Sequence, residues 1–152
     1  MVEDPEARLV NLTNEIHGHI GIYSIIGTKM GLYARELLGE RPSVLSFAGK
    51  TPPLSCLNDG IQIGSGATLG RGLIEISAEG EPCAKARFTS GRRTITLELK
   101  EEYSRQIEAD IEKAVSDFGH TPAYWEQIQS LAEDYGKEWD RKQIFRLTES
   151  EE

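Results

Sequence analysis

Leu73-Ile74-Glu75-Ile76, Cys83-Ala84-Lys85-Ala86-Arg87-Phe88 and Thr94-Ile95-Thr96-Leu97-Glu98-Leu99 are three runs in which apolar and polar side chains alternate. A period of two places every second side chain on one face, the pattern of a strand that is buried on one side. Glu79-Gly80-Glu81-Pro82 and Ser90-Gly91-Arg92-Arg93 separate the runs and carry turn residues. The three runs therefore predict antiparallel strands, and Val44 to Phe47 predicts a short fourth. Outside this block the period is helical, so the expected fold is α+β: an antiparallel sheet of three to four strands flanked by helices, with a C-terminal helical pair.

Upstream, Asp4 is a natural N-cap for a helix beginning at Pro5, with Leu9, Leu12 and Ile16 at spacings of three and four and Gly18 as its stop. A second helix is expected within Ile20–Leu38, closed by Gly39, and a third from Pro53 through Leu54, Cys56, Leu57, Ile61 and Ile63. Gly27 and Gly31 stand one helical turn apart in the second helix, where each glycine costs roughly 1 kcal/mol relative to alanine. That cost implies that another backbone comes close, from the same chain or from a second copy. Downstream, Tyr103, Ile107, Ile111, Ala114, Val115 and Phe118 form one helical stripe. Trp125, Ile128, Leu131 and Ala132 form the next, from Pro122 to about Tyr135, and Thr148 to Glu152 reads as a frayed end. The expected organisation is a core over residues 1–100 with acidic helices of residues 101–152 packed on it, one compact unit overall.

The charge distribution supports that division. Residues 1–100 carry 11 basic and 11 acidic side chains, residues 101–152 carry 6 and 14, and the net charge of −8 lies in the last third. An acidic chain without a basic stripe repels a phosphate backbone and an anionic membrane surface, which argues against nucleic acid and membrane partners. The longest apolar stretch, Ile20 to Leu38, contains Lys29, Arg35 and Glu36 and is unsuited to span a bilayer. The acidic N-terminus lacks the pattern of a signal peptide, and Cys56 and Cys83 are expected as reduced thiols, so a cytoplasmic location is expected.

Chemistry concentrates in two places. His17-Gly18-His19 falls between the first two helices; on a helix these side chains would diverge, but in a glycine turn both imidazoles can face one point. With Cys56 they form an N/N/S donor set suited to zinc, with nickel or iron as further candidates. The plain alternative is two histidines that only flank a turn and a thiol that only packs. The second place is Gly60 to Gly72, with five glycines in thirteen residues. A phosphate-binding loop would need a long helix to follow, and Gly70, Gly72 and the β-pattern at Leu73 oppose one. Close packing of the backbone is the simpler reading. Cys83 reads as a small buried strand residue and His120 as an exposed turn residue.

These residues resemble the FmdE family, proteins named after a component of formylmethanofuran dehydrogenase. Cys56-Leu57-Asn58-Asp59-Gly60-Ile61-Gln62 is similar to the family's Cys-x-x-Asp-Ala-Ile-Gln run, and Ser65 to Gly72 is similar to its Thr-Gly-Cys-Thr-x-Gly-Lys-Gly loop. With His17-Gly18-His19, Gly27, Met30 and Gly31, the resemblance covers roughly residues 5–100. It implies an α+β core, a homodimer, and a metal held by His17, His19 and Cys56, with Asp59 orienting a ligand or handling a proton as a catalytic group; together with the paired glycines it places the Gly27/Gly31 face of the second helix, with the C-terminal helices, at the expected dimer contact. Ala67 replaces the loop cysteine and Gly21-Ile22 stands where the family has a Cys-Pro pair, which weakens any role needing several thiols. The cysteine-rich C-terminal zinc finger of many members is absent after Cys83. Two functions follow from the resemblance: a metal-binding accessory module that takes a protein partner or small-molecule ligand, or a small zinc enzyme that activates water.

Overall fold

The computed structural model describes residues 4–151. Five helices, α1 (Pro5–His17), α2 (Ile22–Leu38), α3 (Leu57–Ser65), α4 (Glu101–Phe118) and α5 (Pro122–Glu138), accompany five strands, β1 (Ser43–Ser46), β2 (Ile74–Ile76), β3 (Lys85–Ser90), β4 (Arg93–Leu99) and β5 (Phe145–Glu151). The strands form one sheet in the order β2-β1-β3-β4-β5. The α+β class and the C-terminal helical pair are as the sequence pattern predicts. No described helix is long and apolar enough to cross a membrane.

The alternation does what its period requires. Val44, Phe88 and Ile95 lie opposite one another across three strands, as do Ser46, Ala86 and Leu97, and all six are buried. They join a core with Ile25, Ile26 and Met30 of α2, Leu57 and Ile61 of α3, and Ile107, Ala114, Ile128 and Ala132 of α4 and α5. Leu45, Arg87, Thr96 and Thr148 share the other face, which is half-buried to exposed.

Two expectations about the strands need correction. β2 does not pair with β3; it runs parallel to β1, because the connection through α3 carries the chain back to the same end of the sheet before the next strand begins. The last residues are not frayed over Thr148–Glu151: they belong to β5, which pairs antiparallel with β4 from Arg93↔Glu151 to Leu99↔Phe145. Acidic residues such as Glu149 hide the strand pattern, and charge suits an edge position, where it opposes pairing with another chain. Residue 152 lies outside the described residues. Cys83 precedes β3 by two residues and is half-buried rather than buried within the strand.

The glycine pairs are explained by α2 against α3. A Cβ on Gly27 would lie 2.1 Å from the Leu57 carbonyl oxygen, and one on Gly60 would lie 2.0 Å from that of Ser24. Gly31 and Gly64 repeat the arrangement one turn on, at 2.6 Å from Ile61 O and 2.3 Å from Thr28 O. Backbone rests on backbone at four positions, and α3 fills the very face of α2 that the paired glycines suggested for a dimer. Gly27 and Gly31 are therefore unavailable to a second copy, and the five-glycine run includes half of this contact rather than a phosphate cradle.

One buried charge ties the helical layer together. Lys29, near the middle of α2, is 1 % exposed. Its Nζ donates to Glu6 Oε2 at 2.8 Å, Gly136 O at 3.0 Å and Trp139 O at 2.7 Å, which uses all three ammonium hydrogens. The two carbonyls belong to the C-terminal end of α5, where the helix has no donors of its own to offer them.

Candidate functional site

α1 ends at Gly18, whose φ of 90° is open to glycine and whose N–H bonds Asn14 O at 3.0 Å. This turn lets His17, the last helical residue, and His19, just beyond it, face each other with ring centroids 4.4 Å apart. Both Nε2 atoms look onto the space beside Gly21: a Cβ there would lie 3.4 Å from each. A side chain at position 21 would touch both nitrogens and crowd Ser24 Oγ, 3.0 Å from the same Cβ position.

His17 is oriented from the other side. Its Nδ1 is 2.7 Å from Asp59 Oδ2 on the first turn of α3, its side chain is only 8 % exposed, and its buried Nε2 has no hydrogen-bond partner. A carboxylate accepting from Nδ1–H selects the tautomer whose Nε2 carries the free lone pair, the form that binds a metal. Burial and the neighbouring His17 push His19 below its ordinary value, which favours the neutral ring. Cys56 lines the same cavity, and burial, with the negative charge of Asp59, pushes its thiol up. Among the described residues no three His, Cys, Asp or Glu side chains are gathered tightly enough to hold a metal ion. The structure thus brings His17, His19 and Cys56 to one cavity without closing them on a single point.

The run from Cys56 to Gln62 can be accounted for residue by residue. Cys56 faces the cavity, Leu57 and Ile61 are fully buried, and Gly60 meets α2. Asp59 holds His17. Asn58 accepts from Ser46 Oγ on β1 and donates to Gly49 O at 2.9 Å, fixing the loop after β1. Gln62 accepts the Leu69 N–H at 2.9 Å and so anchors the chain that follows α3. A short segment thereby sets the position of α3 on three neighbours and delivers Cys56 and Asp59 to the histidines.

The cavity has a volume of about 270 Å³. Its wall includes residues that the sequence pattern placed only on a core stripe or did not single out. Trp125 and Tyr124, from the first turn of α5, line it with Tyr23, Ile111 and Ile128, and Pro52 and Pro53 lie near Cys56. Trp125 is 60 % exposed rather than part of the core, and its ring centroid is 6.1 Å from that of His19. His120 is exposed, as expected of a turn residue. Neither cysteine is in a disulfide.

The family model described as "FmdE, Molybdenum formylmethanofuran dehydrogenase operon" matches residues 16–146. The chain belongs to the FmdE family. The match begins next to His17 and continues beyond residue 100, so in this FmdE chain α4 and α5 lie within the family domain. A crystal structure of a tungsten formylmethanofuran dehydrogenase FmdE-like protein from Syntrophus aciditrophicus superposes with a TM-score of 0.57 at 16 % identity, covering 97 % of this chain and 72 % of that one. That likeness is one of fold. A probable S-adenosyl-L-methionine-binding protein of Archaeoglobus fulgidus is 32 % identical over 75 residues, 44 % of this FmdE chain; the match spans 20 % of the relative's length.

Proposed function

We propose that this FmdE-like module binds one divalent metal, zinc as first choice, through His17, His19 and Cys56, and acts as a metal- and partner-binding accessory protein. The observation that supports this most is the buried, unpartnered Nε2 of His17. A buried ring nitrogen without a hydrogen bond is costly, about 1–3 kcal/mol, and a metal removes that cost. The donor types suit such an ion, two imidazoles facing the space beside Gly21 and a thiol on the same cavity that has to close on them when it binds. A bound ion would supply Lewis acidity or a fixed positive charge. The protein supplies orientation, through Asp59 on His17, and an apolar wall that limits water.

Asp59 enters this reading as a positioning residue, because its Oδ2 is engaged by His17 Nδ1 rather than turned to a substrate. For that reason the module is preferred to a hydrolytic enzyme in which Asp59 moves a proton. Nickel or iron remains compatible with the donors. The homodimer implied by the resemblance stays part of the proposal, formed on a surface other than the Gly27/Gly31 face.

Metal content of purified variants tests the assignment. His19→Ala and Cys56→Ala are each expected to lower zinc retention at least about tenfold, while Cys83→Ala retains the wild-type amount. Equal retention in all three would leave His17-Gly18-His19 a turn and Cys56 a packed thiol.

A further inference from the structure

The far end of α3 carries a different chemistry from the histidine end. α2 and α3 run parallel, with Gly27 beside Leu57 and Gly31 beside Ile61, so both helices finish at the same end of the molecule, capped by Gly39 and Gly66. Asp59 stands on the first turn of α3 and Gly66 closes that helix, about 10 Å further along its axis at 1.5 Å per residue. A Cβ on Gly66 would lie 2.7 Å from Arg41 Nε and 3.0 Å from Arg35 Nη1. Those two nitrogens are thus less than about 6 Å apart, a spacing at which like charges repel. Among the described residues neither guanidinium has a hydrogen bond or an ion pair. The acids beside them in sequence are turned elsewhere: Glu36 accepts from Arg141 at 2.7 and 2.9 Å, and Glu40 accepts from Ser90 Oγ. Acidic side chains outnumber basic ones 25 to 17 in this chain, so an arginine pair that meets none is an exception to its surroundings. Two helix C-termini, each equivalent to about half a negative charge, hold the pair in place but offset only about half of its charge.

We infer that Arg35 and Arg41 form an oxyanion site for a terminal phosphate group. The geometry favours phosphate over carboxylate, because a carboxylate fills one guanidinium fork, whereas the three free oxygens of a terminal phosphate can accept from two forks at once. Both side chains are exposed, so the site reads the charged group and leaves the rest of the ligand in solvent. It is a side-chain site and needs no glycine cradle; Gly66 contributes by letting both guanidiniums lie against the end of α3. The site owes nothing to a metal at the histidines. The glycine strip is what brings the Gly66 end of α3 beside the last turn of α2, so the same packing that delivers Asp59 to His17 assembles the arginine pair.

Inorganic phosphate at about pH 7.5 and low salt is the probe, with acetate as the planar comparison. Binding to the full chain is followed by nitrogen–proton NMR at the Gly66 amide and the arginine Nε–H signals, and zinc content is measured on the same samples. Arg35 and Arg41 are exposed, so the variants should fold, and an unchanged denaturant midpoint checks that they do. The expected result is one saturable phosphate per chain, bound about tenfold or more tighter than acetate. Arg35→Gln/Arg41→Gln weakens it about tenfold or more with zinc content unchanged, Arg35→Lys/Arg41→Lys weakens it less, and Arg8→Gln, at an exposed arginine on α1, leaves it as in wild type. Glycerol 3-phosphate and a phosphoserine peptide separate the sources of the group: equal affinities support a small soluble ester, and a tighter peptide supports a phosphorylated partner. No saturable phosphate shifts, wild-type affinity in the Gln pair, or acetate binding as tightly as phosphate overturns the inference. Loss of phosphate in His19→Ala with retention in the Gln pair overturns it as well, by moving the anion to the histidine end.

Discussion

Gly60→Ala is expected to destabilise the protein by about 3 kcal/mol or more, which would move a denaturant midpoint far below that of the wild type. The new methyl carbon would lie 2.0 Å from Ser24 O, 2.5 Å from Thr28 N and 2.8 Å from the Gly27 carbonyl carbon. All three are backbone atoms of a buried helix, so no side chain can swing aside. α2 and α3 must separate, and the whole strip Gly27, Gly31, Gly60, Gly64 loses its contact. α3 carries Asp59 and, just before its first turn, Cys56, so the same change withdraws both from the histidines. Gly70→Ala is the control: nothing lies within 4 Å of its Cβ position, and its φ is not in the left-handed region. Equal midpoints for the two variants would show that the helices do not meet through their glycines.

The second large effect is expected at Lys29. Lys29→Met keeps the length of an apolar stem but leaves Gly136 O and Trp139 O without a donor and removes one cation from Glu6. Arg141 Nη1, 3.2 Å from Glu6 Oε1, continues to pair the carboxylate. Buried carbonyls that lose their partner cost about 1–3 kcal/mol each, so a loss of roughly 3 kcal/mol is expected. Thermal unfolding of Lys29→Met measures it, and an unchanged transition would mean that burial of the stem, not the ammonium, matters. Because these carbonyls end α5, whose first turn brings Trp125 and Tyr124 to the cavity, loosening is expected to reach the aromatic wall as well.

How far the sequence could be read depended on whether the deciding force was local. Helix α1 is legible from Asp4 to Gly18 because capping is local: Asp4 Oδ1 accepts the Glu6 N–H and Gly18 closes the helix in the left-handed conformation. The strands β3 and β4 are legible for the same reason, since period two is written in neighbouring residues. β5 is not, because Arg146, Thr148 and Glu149 take their meaning from pairing with β4, which is distant in sequence. Nor does Leu73-Ile74-Glu75-Ile76 reveal its partner; only the crossover through α3 sets it parallel to β1. At the site, His17, His19 and Cys56 stand out by residue type, and the structure places them on one cavity. The bond from Asp59 to His17 spans 42 positions and follows from how α3 lies on α2. Lys29 shows the limit most plainly: in the sequence it argues only against a membrane span, while in the fold it closes the end of α5.

X-ray absorption at the zinc edge, on protein loaded with one equivalent of zinc, tests the central assignment most directly. The expected first shell contains imidazole nitrogens at about 2.0–2.1 Å and one sulfur at about 2.3 Å, and the sulfur is lost in Cys56→Ala. A wild-type shell of light atoms alone, with no sulfur and no imidazole scattering, would contradict it.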